Sequence, residues 1–594
     1  MKFKTAGIVI FLLMNTPSSS SYTIQSPYLD DPSLVIGYVD SCAEFWLGTW
    51  DENFGGFYTN IDKYGDVIHN SDKHMLTQTR NVYGLTRAFM LTGDILFLDM
   101  AREGLDFMYE HSWDEAYGGW FNELDQLGNP IYPTSPKTAF YQHYAILGTT
   151  VYYEATRDTV DWNWLMTGYD HLETVYWDTR PQYLGYFDES NFGASSVWNK
   201  SFNATVDAIT THLLYLYLMT EDQVYKDRLL ELAAEMMDRL VGSMPQQAIG
   251  FVEMFDSDWN SNNNEPMTIM GHVLKTGWCL SRICQLEFDQ EYIDASEALF
   301  QDVWHNGYDH DFGGPYKDYN RITGEMLMWG NPDTCKAWWQ LEQAATHGLQ
   351  MFSLTRDTLY LRMADESVDF YMHNFVDREY GEVYANRTRY GDFAWNENKG
   401  EGGKAGYHSI ELGYYLYLYG NLFVKQKPVT IHYNFVESTS ERRMVMTPIA
   451  VADSLLRIQN VLHEGQPYTS FDPDQRILVL PPGVCGHFEV TFEPVEPVIV
   501  TENDTMPESL ILSRNYPNPF NSSTTIEFNL MEIGNVQFEV FDIHGRLIHS
   551  CWYTGLHAGL NSIEWAADET PNGVYHYRIS NGTHAASGKA IVLR

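Results

Sequence analysis

Hydrophobic residues recur at helical spacing through most of the first 425 positions of the chain. Segments such as TQTRNVYGLTRAFML and ITTHLLYLYLMT carry apolar side chains three and four residues apart, the spacing of a buried helix face. Short glycine-rich pieces, GGFY and GGWF, lie between these segments and predict turns with short hairpins. This part of the chain is therefore predicted to alternate helices with hairpin loops.

The helices and hairpins form an internal repeat. Three copies are clear, WDENFGGFYTNID, WDEAYGGWFNELD and WDTRPQYLGYFDE, and three are looser. The copies begin at Trp50, Trp113, Trp177, near Ile249, at Trp304 and at Phe375. Units of about 65 residues that each hold two helices bury their apolar faces only against neighbouring units. Because six such units close naturally into a ring, we predict an (α/α)6 barrel of six helix-pair repeats over residues 30–425.

The pattern changes after the barrel segment. VTIHYNFVES and HFEVTFEP alternate apolar and polar residues, which predicts a small β domain at 426–498. A linker rich in proline and glutamate follows at 499–509 and leads to a last segment at 510–594.

The beginning of the chain has the order of a secretory signal. Lys2 and Lys4 precede a short apolar run, which small and polar residues follow, so we predict a signal peptide at 1–21. The apolar run is too short to span a bilayer, and no later stretch approaches that length. The mature protein is therefore expected to be exported without a membrane-spanning segment.

The last segment carries a specific signature. LSRNYPNPFNSSTTIEFNL, VFDIHGRLI and NGVYHYRI resemble the type IX secretion sorting domain, which is related to an immunoglobulin-like fold. The resemblance implies that export machinery recognises this tail and that the protein passes through the periplasm to become secreted or cell-surface. The predicted fold class is thus mainly α, with two small β-sandwich modules of immunoglobulin-like type after the barrel.

Composition excludes several functions. The chain has 79 acidic and 37 basic residues, a net charge of −42, so nucleic-acid phosphates and anionic membranes should repel it. Aromatic residues make up 15% of the chain, which suits either sugar stacking or a large core, and we favour the core. There is no HExxH motif, no CxxC pair among the six cysteines and no glycine-rich phosphate loop. We therefore predict no metal ion and no cofactor.

Several stretches of the barrel segment together suggest a reaction. TQTRNVYGLTRAF, NATVDAITTHL, GHVLKTGW, KAWWQLEQA and GGKAGYHSIELG resemble, in order and spacing, the N-acylglucosamine 2-epimerase superfamily. That superfamily includes cellobiose 2-epimerases and mannose isomerases. In it, a base removes the C2 proton of an opened sugar, and an acid returns a proton to C2 or to C1. The resemblance implies a carbohydrate 2-epimerase or aldose–ketose isomerase that acts on a mono- or disaccharide.

The resemblance also implies catalytic residues. His272 matches the histidine of the family's GH motif, and His408 matches that of its YH motif. Imidazole suits both roles because its usual pKa, about 6.5, lets it act as base or acid near neutrality. Arg80 matches the family arginine that contacts substrate oxygens, where it would stabilise the enediolate.

Further candidates would bind the substrate. Trp338 and Trp339 match a family KxWW stretch, so one of them would stack on a sugar ring unless both serve core packing. Tyr83 follows Arg80 by one helical turn, on the same predicted face. Glu342 is an acidic candidate, although its neighbour Gln343 occupies the place of the family's acid.

Two positions depart from the family pattern. Lys275 stands three residues after His272, where the family often has glutamate, and an ammonium there would favour the neutral imidazole. Asp207 stands four residues after Asn203, where a third histidine is expected, and a shifted register would offer His212 instead. We count Asp207 and Lys275 as substrate-binding candidates, but their effect on the reaction stays open.

Two alternatives follow from these departures. The barrel could be an inverting glycoside hydrolase, with a carboxylate pair drawn from Asp207, Glu342, Glu411 and Asp333. It could also be an inactive carbohydrate-binding surface protein, in which Lys275 and Asp207 mark lost activity. The sequence leaves open which sugar is used, whether the product is reprotonated at C1 or C2, the oligomeric state and the site of signal cleavage.

Overall fold

The computed structural model describes residues 22–592, with gaps at 69–71, 329–330, 333, 449–454, 496–510, 517, 519, 531–533, 543–545, 558, 568–569 and 582–584. The predicted signal at 1–21, the linker at 499–509 and the candidate Asp333 lie outside the described residues. The chain divides into two compact units between residues 497 and 498.

The first unit contains the predicted barrel. The inner helices are α2 Met75–Thr92, α4 Ala139–Ala145 with α5 Leu147–Thr156, α7 Phe202–Ala208 with α8 Leu214–Thr220, α10 Met270–Leu286, α12 Trp338–Thr355 and α14 Tyr407–Tyr419. The outer helices are α1 Val35–Leu47, α3 Ile95–His111, α6 Thr159–His171, α9 Gln223–Glu235, α11 Gln290–Asp302 and α13 Thr358–Asn374. Each inner helix packs against the next, and α14 packs against α2, which closes the ring. Within the described residues, no helix is both long and apolar enough to cross a bilayer.

A shared cap starts five of the outer helices. An aspartate precedes each helix, and its carboxylate accepts a hydrogen bond from the backbone N–H two residues later, which satisfies one of the free donors at the helix start. These caps are Asp94, Asp158, Asp222, Asp289 and Asp357. In four of these five repeats, the residue just before the capping aspartate ends the inner helix with a left-handed backbone conformation. These residues are Gly93, Arg157, Glu221 and Arg356. The turn between the two helices of a pair is therefore encoded locally.

A buried lysine–aspartate pair holds the hairpins of five repeats. One aspartate oxygen caps the turn, as Asp51 does for the N–H of Asn53, and the other lies 2.9 Å from the ammonium of Lys73. The equivalent pairs are Lys137–Asp114, Lys200–Asp178, Lys336–Asp309 and Lys399–Asp377. Removing either partner would leave a buried charge uncompensated, so this pair explains the recurring WD and lysine positions.

Short strands tie each repeat to the next. The strand before an inner helix pairs with a hairpin of the following repeat, as Lys73–His74 does with Glu123–Leu124. The other such pairs are Lys137–Thr138 with Glu189–Ser190, Lys200–Ser201 with Met254–Phe255, Met267–Ile269 with Asp318–Asn320 and Lys336–Ala337 with Asn386–Arg387. The hairpins consequently gather at the N-terminal ends of the inner helices.

The β module after the barrel shares the barrel's core. Its strands are β1 Val429–Phe435, β2 Arg442–Val445, β3 Leu456–His463, β4 Gln466–Pro467, β5 Phe471–Asp472, β6 Ile477–Leu480 and β7 Gly486–Pro494. They form two antiparallel sheets, in the orders β1-β7-β3-β4 and β2-β6-β5. The N–H of Val436 donates to the carbonyl of Thr156, and one hydrophobic cluster runs through both parts. The module therefore covers the C-terminal ends of inner helices, away from the hairpins.

The tail has its own core. Its strands are β8 Ile511–Tyr516, β9 Ser523–Leu530, β10 Gly534–Asp542, β11 Leu547–Leu556, β12 Gly559–Ala566, β13 Gly573–Ser580 and β14 Ala585–Val592. They form two antiparallel sheets, ordered β8-β9-β12 and β11-β10-β13-β14, around a cluster that includes Ile526, Phe538 and Trp565. The immunoglobulin-like topology of the two modules stays a prediction.

Candidate active site

The first turns of the inner helices surround a cavity of about 190 Å³ at the hairpin end of the barrel. It is lined by Arg80, Phe140, Tyr144, Asn203, Asp207, His272, Lys275, Trp338, Trp339, Gln343, Gly403 and His408. Seven of the nine candidate residues from the sequence are thus brought together. The other two, Tyr83 and Glu342, are fully buried and lie behind this lining.

Many of the residues that line the cavity occupy equivalent positions in successive repeats. Each inner helix is preceded by an equivalent residue, such as Lys73, Thr268 or Lys404. The residues seven positions after it are Arg80, Tyr144, Asp207, Lys275, Gln343 and Glu411, and the first five line the cavity. Sequence reasoning missed Phe140, Tyr144, Asn203, Gln343 and Gly403 as cavity residues. Alignment of the six repeats is the signal that would have found Tyr144 and Gln343.

His272 is held by a carboxylate that sequence reasoning also missed. Its Nδ1 lies 2.8 Å from Oε2 of Glu253, and its ring stacks on Phe202 with centroids 3.9 Å apart. The second oxygen of Glu253 accepts the N–H of Ile269 at 2.6 Å, which fixes the carboxylate. Because Nδ1 is engaged, Nε2 is the nitrogen of His272 that can meet a substrate.

His408 has a different environment. Its Nδ1 lies 3.2 Å from Oε2 of Glu342 and 3.6 Å from Oε2 of Glu411. Burial, and then the positive charges of Arg80, Lys275 and Lys404, hold the pKa of His408 well below its usual range. The ring is therefore neutral near pH 7, the state that a base requires.

The two carboxylates beside His408 are already hydrogen-bonded. Glu342 accepts from Thr346 at 2.7 Å, and Glu411 accepts from the hydroxyl of Tyr83 at 3.0 Å. Burial and the neighbouring Glu411 raise the pKa of Glu342, and burial raises the pKa of Glu411 to about 7. Ligand-type atoms of the two glutamates and His408 lie within 4.8 Å of one another, the one such group in the described part of the chain. One oxygen of each glutamate is thus engaged by a hydroxyl donor.

Arg80 brings a positive charge to the cavity. One of its terminal nitrogens donates to the carbonyl of Gly403, and the guanidinium lies 4.6 Å from the ring centroid of Tyr144 and 5.6 Å from that of Tyr407. Its Nε has no hydrogen-bond partner among the described residues. These donors suit an oxygen that gains negative charge during a reaction.

Lys275 and Asp207 form an ion pair in the cavity wall. The ammonium lies 2.6 Å from Oδ1 of the aspartate, and both side chains are at most 5% exposed. Burial lowers the pKa of Lys275, but the charge and hydrogen bond of Asp207, together with Tyr144 and Cys279, raise the pKa overall. Lys275 is thus bonded to Asp207 and not to His272. The predicted influence of its charge on His272 stays a prediction.

The alternative register that would place His212 in the site is not adopted. His212 is fully buried, and its ring stacks on His143 with centroids 5.5 Å apart. Asp207, which lies five residues earlier on the same inner segment, lines the cavity instead.

One tryptophan links the two histidines. The ring of Trp339 lies 5.2 Å from that of His272 and 6.0 Å from that of His408, and it is partly exposed. Trp338 is 7% exposed and contacts the ring of His408 at 6.1 Å. Trp339 is therefore better placed than Trp338 to stack on a ligand between the histidines.

Comparison with known proteins decides the family. The family model for N-acylglucosamine 2-epimerase matches residues 56–411. The chain belongs to this family. Its curated relatives include the cellobiose 2-epimerase of Bacteroides fragilis, 21% identical over 61% of this chain and 93% of that protein. They also include the D-mannose isomerase of Marinomonas mediterranea, 20% identical over 65% and 97%. The predicted sugar epimerase or isomerase is confirmed at the level of the family.

Solved structures confirm the barrel. A cellobiose 2-epimerase from Spirochaeta thermophila matches with a TM-score of 0.58 and 20% identity over 66% of this chain and 98% of that one. A D-mannose isomerase matches with a TM-score of 0.58 and 18% identity over 66% and 99%. At this identity the likeness concerns the fold.

The resemblance of the tail to a secretion sorting domain is confirmed independently. A model of the secretion system C-terminal sorting domain matches residues 514–593. This match indicates type IX export to the cell surface or the outside. The predicted passage through the periplasm stays a prediction.

Proposed function

We propose that this protein is an exported carbohydrate 2-epimerase or aldose–ketose isomerase that acts by histidine-mediated proton transfer at C2 of an open-chain sugar. The observation that carries the proposal is that His272 and His408 line one cavity, with Trp339 in contact with both. Each presents Nε2, because a carboxylate occupies Nδ1. Curated relatives named cellobiose 2-epimerase and D-mannose isomerase support the same reaction class.

In the proposed reaction, one imidazole takes the C2 proton and the electron pair of the C–H bond becomes an enediolate. Arg80 stabilises the charge on the enediolate oxygens, since its guanidinium retains donors in the cavity. The second imidazole returns a proton to C2 on the other face, which inverts the centre, or to C1, which gives the ketose.

The hydrolase alternative is less well supported. An inverting hydrolase needs two carboxylates that face the substrate with room for a water molecule. Asp207 is neutralised by Lys275, and Glu342 and Glu411 lie behind the cavity lining. The fourth candidate, Asp333, lies outside the described residues. The ion pair also argues against an inactive carbohydrate-binding protein. Lys275 and Asp207 both depart from the family pattern, but their charges compensate each other.

Incubation of the purified protein with a panel of aldoses in heavy water tests the proposal. NMR should show deuterium at C2 for epimerisation, or at C1 of a ketose for isomerisation. The variant His272→Asn serves as the matched control. Release of new reducing ends from oligosaccharides would favour the hydrolase, and binding without any exchange would favour the inactive protein.

A further inference from the structure

Two carboxylates meet one nitrogen of His408. Glu342 comes from α12 and Glu411 from α14, and their oxygens lie 3.2 and 3.6 Å from the same Nδ1. The single N–H at Nδ1 can donate a full hydrogen bond to only one of the two carboxylates. The other carboxylate then has an oxygen near the ring that receives no hydrogen bond from it. The relative exposure of these side chains is 0% for Glu342 and 6% for Glu411.

Two ionised carboxylates at this spacing would repel each other strongly. At 4 Å, two unit charges interact by about 4 kcal/mol even with an effective dielectric constant of about 20. The nearest cations, Lys275 and Arg87, offset this only in part, because Lys275 is paired with Asp207 and Arg87 with Glu154. Like-charged carboxylates in one dry site relieve the repulsion by keeping a proton.

The titratable groups that face the cluster come from six helices and the segment before α14. They are Arg80, Tyr83 and Arg87 on α2, Tyr144 on α4, Tyr215 on α8, Lys275 and Cys279 on α10, Tyr371 on α13, Tyr407 and Tyr415 on α14, and Lys404. The tyrosines donate or stay neutral, since burial raises the pKa of Tyr83 and Tyr407 well above the usual range. Lys404 is paired with Glu382, so among the described groups named above the positive charge without a paired carboxylate is that of Arg80, on the cavity side.

We propose that Glu342 and Glu411 are positioning residues that share one proton and bind Nδ1–H of His408, so that the neutral ring presents Nε2 to the sugar as a base. This inference rests on the proposed function. When Nε2 takes the C2 proton, the C–H electron pair passes to the enediolate and the ring becomes an imidazolium. Its Nδ1–H then donates to the ionised member of the pair, a charge-assisted hydrogen bond that stabilises the new charge.

Infrared spectroscopy of the resting protein tests the shared proton without substrate. At pH 7 the native protein should show the carbonyl stretch of a protonated carboxylic acid. The band should vanish in Glu342→Gln and in Glu411→Gln, because a single remaining carboxylate has donors and no anionic neighbour. Glu173→Gln, a carboxylate paired with Arg228 on an outer helix, is the matched control and should keep the band.

Kinetics test the consequence. Deuterium exchange at C2 should decline above pH 7 in the native protein, because loss of the shared proton adds a negative charge that opposes the enediolate. Both glutamine variants should lose this alkaline decline, whereas Glu173→Gln should keep it. A merely structural role would lower the rate at every pH and leave the decline in place.

Three results would overturn the inference: no acid band in the native protein, a band that survives in either variant, or an unchanged alkaline decline in both. Activity that requires added zinc or manganese after chelation would also overturn it, since the three side chains would then bind a metal. Failure of the proposed function is distinguishable, because native protein without any exchange could still show the band.

Discussion

The two histidines of the cavity occupy equivalent places in different repeats and have opposite surroundings. His272 and His408 each stand four residues after the position that precedes their inner helix. His272 has one carboxylate, Glu253, and its side chain is 15% exposed. His408 has two carboxylates, lies deeper at 8%, and is surrounded by cations that disfavour its charged form.

This difference shows how a repeated scaffold gives two equivalent histidines different surroundings. The helix positions are set by the repeat, but each side chain meets neighbours from the adjacent repeats, which differ. His272 lies beside one carboxylate at hydrogen-bond distance, which fixes the orientation of its ring. A buried ring among cations stays neutral, and so suits a base. Four experiments would break or sharpen this contrast.

Loss of either histidine should have the largest effect on activity. His272→Asn and His408→Asn remove an acid or base from the proton transfer, and we expect each to slow deuterium exchange at C2 about 10³-fold. NMR in heavy water measures the rate, and thermal unfolding should show that both variants still fold. If one variant retained most of the native rate, the histidine replaced in it would not be needed for proton transfer.

Breaking the ion pair on the His272 side should chiefly affect stability. Lys275→Met leaves the buried Asp207 uncompensated, and we expect a loss of about 3–5 kcal/mol in the free energy of unfolding. The double variant with Asp207→Leu should lose less than the two single variants together, because no charge remains. Urea denaturation measures all three. Strict additivity would show that the two side chains do not interact in solution.

Arg80 lies near His408, with its guanidinium 4.6 Å from the ring centroid of Tyr144 and 5.6 Å from that of Tyr407. Arg80→Met removes donors for the enediolate, so kcat should fall about 10²-fold with a smaller change in KM. Arg80→Lys keeps the charge and should recover part of the rate. A rise in KM at constant kcat would instead assign Arg80 to ground-state binding.

Glu253→Gln should have the smallest of the four effects. The amide keeps a hydrogen-bonding group near His272 but replaces a charged acceptor with a neutral one, and we expect this to cost about 1.4 kcal/mol, a tenfold loss in exchange rate. Steady-state rates at several pH values measure it. A loss as large as that of His272→Asn would mean that Glu253 contacts the substrate directly.

The fold was largely predictable because its determinants are local. The WD turns, the buried lysines and the helix caps act within about one repeat, and a helix pair cannot bury its apolar face alone. The sharing of one core by the β module and the barrel was not predictable. It depends on contacts such as that of Val436 with Thr156, which are distant in sequence.

The site was predictable in part. Motif resemblance found His272, His408 and Arg80, which line the cavity. Helical spacing added Tyr83 and residue type added Glu342, and neither lines it. Glu342 and Gln343 are adjacent, and one residue turns a helix by about 100°. That rotation places Gln343 on the cavity and Glu342 behind His408.

The sequence by itself determined the repeat, the closure of six units into a ring, the export tail and the two histidines. Only the tertiary structure decided which carboxylate holds each histidine and which charges cancel, as Lys275 and Asp207 do. The periodicity of apolar residues is a property of one helix and can be recognised in consecutive residues. Partners such as Glu342 and His408 belong to different helices, so the packing of neighbouring repeats brings them within a few ångströms.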